Sequence, residues 1–154
     1  MTTGVRLGID VGSVRVGVAA SDPSGLLASP VMTLRRDLEA LTDLASIAGL
    51  VADLAAAEVI VGLPRSMSGK EGPAAAAARD YARQIADRVA PVAVRLVDER
   101  LSTVSATRAL GESGVRGLQR RAVIDQQAAV TFLQAALDAA RGGIILGESV
   151  EATW

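Results

Sequence analysis

The chain has 154 residues, a formal net charge of −1, 50% hydrophobic residues, and one each of Trp, Tyr and Phe. That is long enough for one domain with a single core, built from Val, Leu, Ile and Ala rather than aromatics. With no cysteine and no histidine, disulfides, thiol nucleophiles, thiolate zinc sites and the usual neutral-pH base are excluded, leaving carboxylates, hydroxyls, arginines and Lys70 for any chemistry.

Carboxylates holding Mg²⁺ or Mn²⁺ suit that restriction best. The near-balanced charge gives no global pull toward nucleic acid, so any such affinity must come from a local patch. No apolar run of about 18 residues and no signal-like N-terminus occur, so the chain is expected to be cytoplasmic and to make no membrane contact.

In residues 5–22, Val5, Leu7 and Ile9 alternate with Arg6, Gly8 and Asp10, and Val14, Val16 and Val18 alternate with Arg15, Gly17 and Ala19. This period of two predicts an antiparallel hairpin with Asp10 at its mouth. The glycines at 8, 12 and 17 are spaced wrongly for a dinucleotide-binding turn, and a strand rather than a helix follows. Taken alone, Asp10 reads equally well as a turn residue.

The turn residues 22–25 lead into a third strand over 26–34, where Pro30 requires an edge position or a bulge. From Asp37, at an N-cap position, apolar residues recur at helical spacing from Leu38 to Ala55. Residues 58–63 read as a buried parallel strand ended by Pro64. The loop 62–73 has six residues between Gly62 and Gly69, and Glu71 after Lys70, so it is no Walker phosphate loop. Pro73 opens a helix to about residue 90, and residues 92–97 return to the sheet, ending in Asp98-Glu99-Arg100.

A short helix is expected from Leu101 to about Leu110, then a mobile glycine-interrupted stretch at 111–117. Arg100, Arg108, Arg116, Arg120 and Arg121 face one acid, Glu112, across residues 100–121. That run is either a solvated face or a phosphate-gripping patch. A last helix is expected over residues 124–141, with Asp125 in its first turn on the face of Ala129, Phe132 and Ala136.

The expected fold is therefore α/β: a mixed five-stranded sheet, an antiparallel meander followed by alternating α/β units, flanked by helices. Residues 1–143 form one domain and residues 144–154 a C-terminal tail. Asp10 and the Asp98-Glu99 pair end strands and Asp125 opens a helix, so this topology can gather three acids at one sheet edge around divalent metal. Alternation lets only one of Asp98 and Glu99 face that edge.

The blocks LGIDVGSVRVGVAASD, VGLPRSMSG, VDERLST and IDQQAAVTFLQAALD together resemble the YqgF family of pre-16S rRNA nucleases, also described as Holliday junction resolvase-like. They keep order and spacing over nearly the whole chain. The resemblance implies an RNase H-like nuclease domain and a metal-dependent hydrolase of phosphodiester bonds. Carried over by position, the catalytic and metal-holding acids are Asp10, Glu99 and Asp125, with Mg²⁺ or Mn²⁺ as cofactor. Arg15, Arg100, Arg116, Arg120 and Arg121 are the substrate-binding candidates. The chain departs from the pattern at Gln126 and Gln127, and has Arg120 and Arg121 where lysine is usual.

The implied role is processing of the 5′ end of pre-16S rRNA in ribosome biogenesis, on a structured RNA precursor. The alternatives are a Holliday junction resolvase acting on branched DNA in recombination and repair, or a non-catalytic nucleic-acid-binding module. Monomer and homodimer are both open, since only junction resolution demands paired sites. An ATP-binding protein of the actin and sugar-kinase type also begins with such a hairpin, but needs a second copy that this chain lacks.

Overall fold

The computed structural model describes residues 4–66, 68–101 and 117–153. Six strands form one sheet in the order β3-β2-β1-β4-β5-β6. β1 (Arg6–Val11), β2 (Arg15–Ser21) and β3 (Ala28–Arg35) are the antiparallel meander. β4 (Glu58–Leu63) lies parallel to β1, and β5 (Ala93–Asp98) parallel to β4. This is the expected mixed sheet with one strand more. Glu148–Val150 forms β6, antiparallel to β5, within the stretch read from the sequence only as a C-terminal tail. Arg95 fastens it by donating to the Leu146 and Gly147 carbonyls and to Ser149 Oγ.

Two layers of side chains follow from strand alternation. On one face Leu7, Ile9, Val16, Val18, Val59 and Val61 pack under α1 (Thr42–Asp53) and α2 (Pro73–Val89). On the other, Ala19, Ile60 and Val97 meet Ala129, Phe132 and Leu133 of α3 (Gly117–Arg141). Close approach of α3 depends on glycine: a β-carbon on Gly8 would stand 3.0 Å from the Ala129 carbonyl oxygen, and one on Gly62 2.7 Å from the Phe132 ring.

β3 is the sheet edge, and the register shifts between Val18 and Ala19, opposite Met32 and Pro30; both features expected of Pro30 are present. α1 begins at Thr42 rather than at Asp37, because the Asp37 carboxylate instead accepts from the N–H groups of Glu39, Ala40 and Thr42. These bonds close a separate turn and leave Leu38 exposed. α3 starts at Gly117, earlier than expected, because Leu118, Gln119, Arg120, Arg121 and Ala122 are good helix formers. Asp125 accordingly lies inside the helix, not in its first turn. The short helix expected at 101–110 and the mobile stretch expected at 111–117 fall, all but Leu101 and Gly117, outside the described residues. Among the described residues no helix is long and apolar enough to cross a membrane.

Candidate active site

Asp10 is the next-to-last residue of β1 and only 9% exposed. Its neighbours in β1 settle which way it faces. Ile9 packs beneath α1 and α2, and Gly8 meets α3, so Asp10 is on the α3 side. Register then defines a row across the sheet: Thr33 opposite Gly17, Gly17 opposite Asp10, then Gly62 opposite Val97.

α3 is pinned over one end of this row. Gln126 Nε2 donates to Thr33 Oγ1 at 2.9 Å, while at the other end of the helix Arg141 donates to the Gly25 carbonyl. The helix therefore runs antiparallel to β1, and its Gln126 end lies near the row of Asp10. The backbone of Asp125, beside Gln126, is thereby brought to the same end of the sheet, one turn before Ala129. The Asp125 side chain lies outside the described set.

At the end of β5 the two adjacent acids part. Leu96 belongs to the α1/α2 side and Val97 to the α3 side, so alternation gives Asp98 to the former. There Arg100 Nε and Nη2 both donate to the Asp98 carboxylate, and the Arg100 N–H donates to Oδ1 at 2.9 Å. These bonds, with Arg65 nearby, hold the Asp98 carboxyl below its ordinary range. Glu99, half-buried, opens a 3₁₀ turn (Glu99–Leu101) that lies against α3.

Among the substrate-binding candidates, Arg15 is two residues from Gly17 in β2 and therefore on the α3 side, one step nearer the strand ends than Asp10. Arg100 is not brought to that side: it is engaged with Asp98, and its Nη1 lies 3.8 Å from where a β-carbon on Gly69 would be. It belongs to the loop of residues 64–72, where Arg65 and Arg79 both pair with Glu71, and Arg79 with Glu148. Arg116 lies outside the described residues, and of Arg120 and Arg121 only the helical backbone is described.

One arginine went unnoticed in the sequence. Arg35 ends β3 directly opposite Arg15. A strand read only to Leu34 left it out, although alternation carried one residue further would have placed it.

Among the described residues no three His, Cys, Asp or Glu side chains form a metal site. The donor chemistry at this end is nonetheless all oxygen, the set that hard divalent ions prefer. A cavity of about 350 Å³, lined by Arg6, Glu58, Arg95 and Leu133 among others, opens at the opposite strand ends. It is remote from Asp10.

A family model described as RuvX, Holliday junction resolvase, matches residues 4–139. A protein of Nocardioides sp. named "Putative pre-16S rRNA nuclease" is 56% identical over 156 residues, covering 99% of this chain and 100% of that protein. One of Frankia casuarinae with the same name is 56% identical over 143 residues, covering 93% of this chain and 71% of its own. Among solved structures, T. thermophilus RuvC in complex with Holliday junction substrate superposes with a TM-score of 0.57 at 16% identity, covering 95% of this chain and 99% of that one. This likeness shows the fold, the RNase H-like architecture of RuvC.

Proposed function

The chain belongs to the family described as RuvX, Holliday junction resolvase, and from that premise we propose that it is a metal-dependent nuclease that trims the 5′ end of precursor 16S rRNA in the cytoplasm. The observation that carries this reading is the buried Asp10 on the α3 side of the sheet, at the end where the Glu99 turn meets that helix. The names of the relatives supply the substrate class.

Asp10, Glu99 and Asp125 would hold the ion. A divalent ion bound there supplies Lewis acidity at the scissile phosphate and a water of lowered pKa, so that no histidine is needed. Asp10 is rigidly aimed, because β1 is central in the sheet and its neighbours Gly8 and Ile9 are packed on both faces. Burial keeps bulk water away from this carboxylate and strengthens its pull on a cation. Arg15, with Arg116, Arg120 and Arg121, would hold the substrate backbone through charge-assisted contacts to phosphate oxygens. Tyr81 and Phe132, the aromatic residues among those described, are fully buried, so neither offers a platform for base stacking. Recognition then rests on backbone shape and charge.

Cleavage of a precursor 16S rRNA fragment and of a four-way DNA junction, run side by side with Mg²⁺ and Mn²⁺, tests the reading. Trimming of the RNA in preference to the junction supports it. Paired cleavage of the junction by a stable dimer replaces it with junction resolution. Binding without cleavage of either replaces it with a non-catalytic module.

A further inference from the structure

Arg15 and Arg35 sit directly across from each other on β2 and β3. Their flanking residues fix the side they share. Val16 and Leu34 pack on the α1/α2 side, so both arginines are on the α3 side with Asp10. Directly opposed residues of antiparallel strands have β-carbons about 4.5–5.5 Å apart, and like charges so placed repel.

The next residue shows what a structural arginine looks like in this protein. Arg36 turns to the other face, donates to the Gly12 carbonyl at 2.9 Å, approaches Asp43 at 3.7 Å and lies over the Tyr81 ring. Arg35 has no such set: it is exposed, and among the described residues its side chain makes no ion pair or hydrogen bond. The two guanidinium groups are opposed across the ladder, and Arg35, exposed and without a partner among the described residues, has its donors available to an anion beside Arg15.

Their level in the sheet says which anion. Relative to the row of Thr33, Gly17 and Asp10, Arg35 and Arg15 stand one step nearer the strand ends. On the far side of Asp10, Glu99 follows the end of β5 in the 3₁₀ turn that lies against α3. Cations therefore flank Asp10 on the β2–β3 side and the acid flanks it on the β5 side.

We propose that Arg15 and Arg35 together clamp one phosphate of the substrate strand, so that its backbone crosses the sheet end from β3 over Asp10 toward β5. This rests on the nuclease reading of the Asp10 site and adds Arg35 and a direction to it. The clamp touches phosphate only, so it positions the strand without reading sequence.

The test is binding of a fluorescein-labelled precursor 16S rRNA fragment in EDTA over a series of salt concentrations, by the parent, Arg35→Ala, Arg35→Gln and Arg15→Ala with Arg35→Ala. Arg83→Ala, exposed on α2, controls for the loss of one charge. Loss of the clamp is expected to weaken binding several-fold and to lower the log–log salt slope by roughly 0.7 to 0.9. The double variant should lose little beyond Arg35→Ala, because both arginines serve one phosphate. In cleavage with metal, KM is expected to rise more than kcat falls. If Arg35→Ala and Arg35→Gln bind with the slope and affinity of Arg83→Ala while the parent still cleaves, the clamp is wrong and the nuclease reading stands. A parent that binds with the clamp's salt signature but cleaves neither RNA nor junction overturns the nuclease reading alone. A parent that binds no RNA in EDTA and cleaves none with metal overturns both.

Discussion

Gly62 and Phe132 touch so closely that a β-carbon on Gly62 would stand 2.7 Å from Cε2 of the ring, and Phe132 has no exposed surface into which it could retreat. Gly62 is the neighbour of Asp10's row on β4, so this contact sets how near α3 comes to the site. Gly62→Ala is expected to lower stability by about 1–3 kcal/mol, as overpacking does, and to reduce cleavage by moving α3 away from Asp10. Adding Phe132→Leu should recover part of both, giving a cost smaller than the sum of the single substitutions. Additive costs in urea unfolding would mean that α3 already yields at this point.

Asp10→Asn is expected to abolish cleavage while leaving the metal-free protein at least as stable as the parent, because carboxylates gathered to hold a cation repel one another when none is bound. It should also remove most of the rise in Tm that Mn²⁺ gives the parent. A turn or cap aspartate would behave the other way, losing about 1 kcal/mol and keeping its metal response.

Glu99→Gln and Asp98→Asn separate the two adjacent acids. Since Asp98 faces the α1/α2 side and is gripped by Arg100, Asp98→Asn should retain cleavage and the Mn²⁺ shift, whereas Glu99→Gln should lose both. Equal losses would place both carboxylates at the metal.

Tyr81→Phe tests the polar cluster beneath α1 and α2. The Tyr81 hydroxyl donates to Asp43 Oδ2 at 2.7 Å, and Asp43 is 3% exposed. Burial and the Asp43 carboxylate push the Tyr81 pKa up. Deleting the hydroxyl leaves a buried carboxylate short of a donor and is expected to cost about 1–3 kcal/mol. Nuclease activity per folded molecule should be unchanged, since the cluster is on the face away from Asp10.

Glu58 gives a pH dependence. Burial raises its pKa above the ordinary 4.5, against the pull of Arg6 and Arg95. The folded state thus binds the proton more tightly than the unfolded chain, so the associated stability is present below about pH 4.5 and falls as pH rises through the folded pKa. Glu58→Gln should be at least as stable as the parent at pH 7, with a flatter stability curve from pH 4.5 upward. A parent-like curve would show that the two arginines already offset the burial.

Local sequence determined much of this protein. Strict alternation placed Asp10 near the end of β1, since a period of two admits only one pairing of faces once the hydrophobic side is buried, and a continuous apolar run placed β4 at residues 58–63. Pro30 marked an edge because it cannot donate to a second neighbour. The four family blocks pointed to Asp10, Glu99 and Asp125. What local pattern could not supply was anything set by a partner distant in the chain. The start of α3 was misplaced because its first turns carry polar helix formers with no apolar stripe to announce them. β6 was missed because three residues with no alternation become a strand only when Arg95 and the edge of β5 are there to receive them. The side to which Asp98 turns depended on which core Leu96 and Val97 enter, and the opposition of Arg15 to Arg35 on the β2–β3 register. Both are relations between strands, fixed by tertiary packing and invisible to any single stretch of the chain.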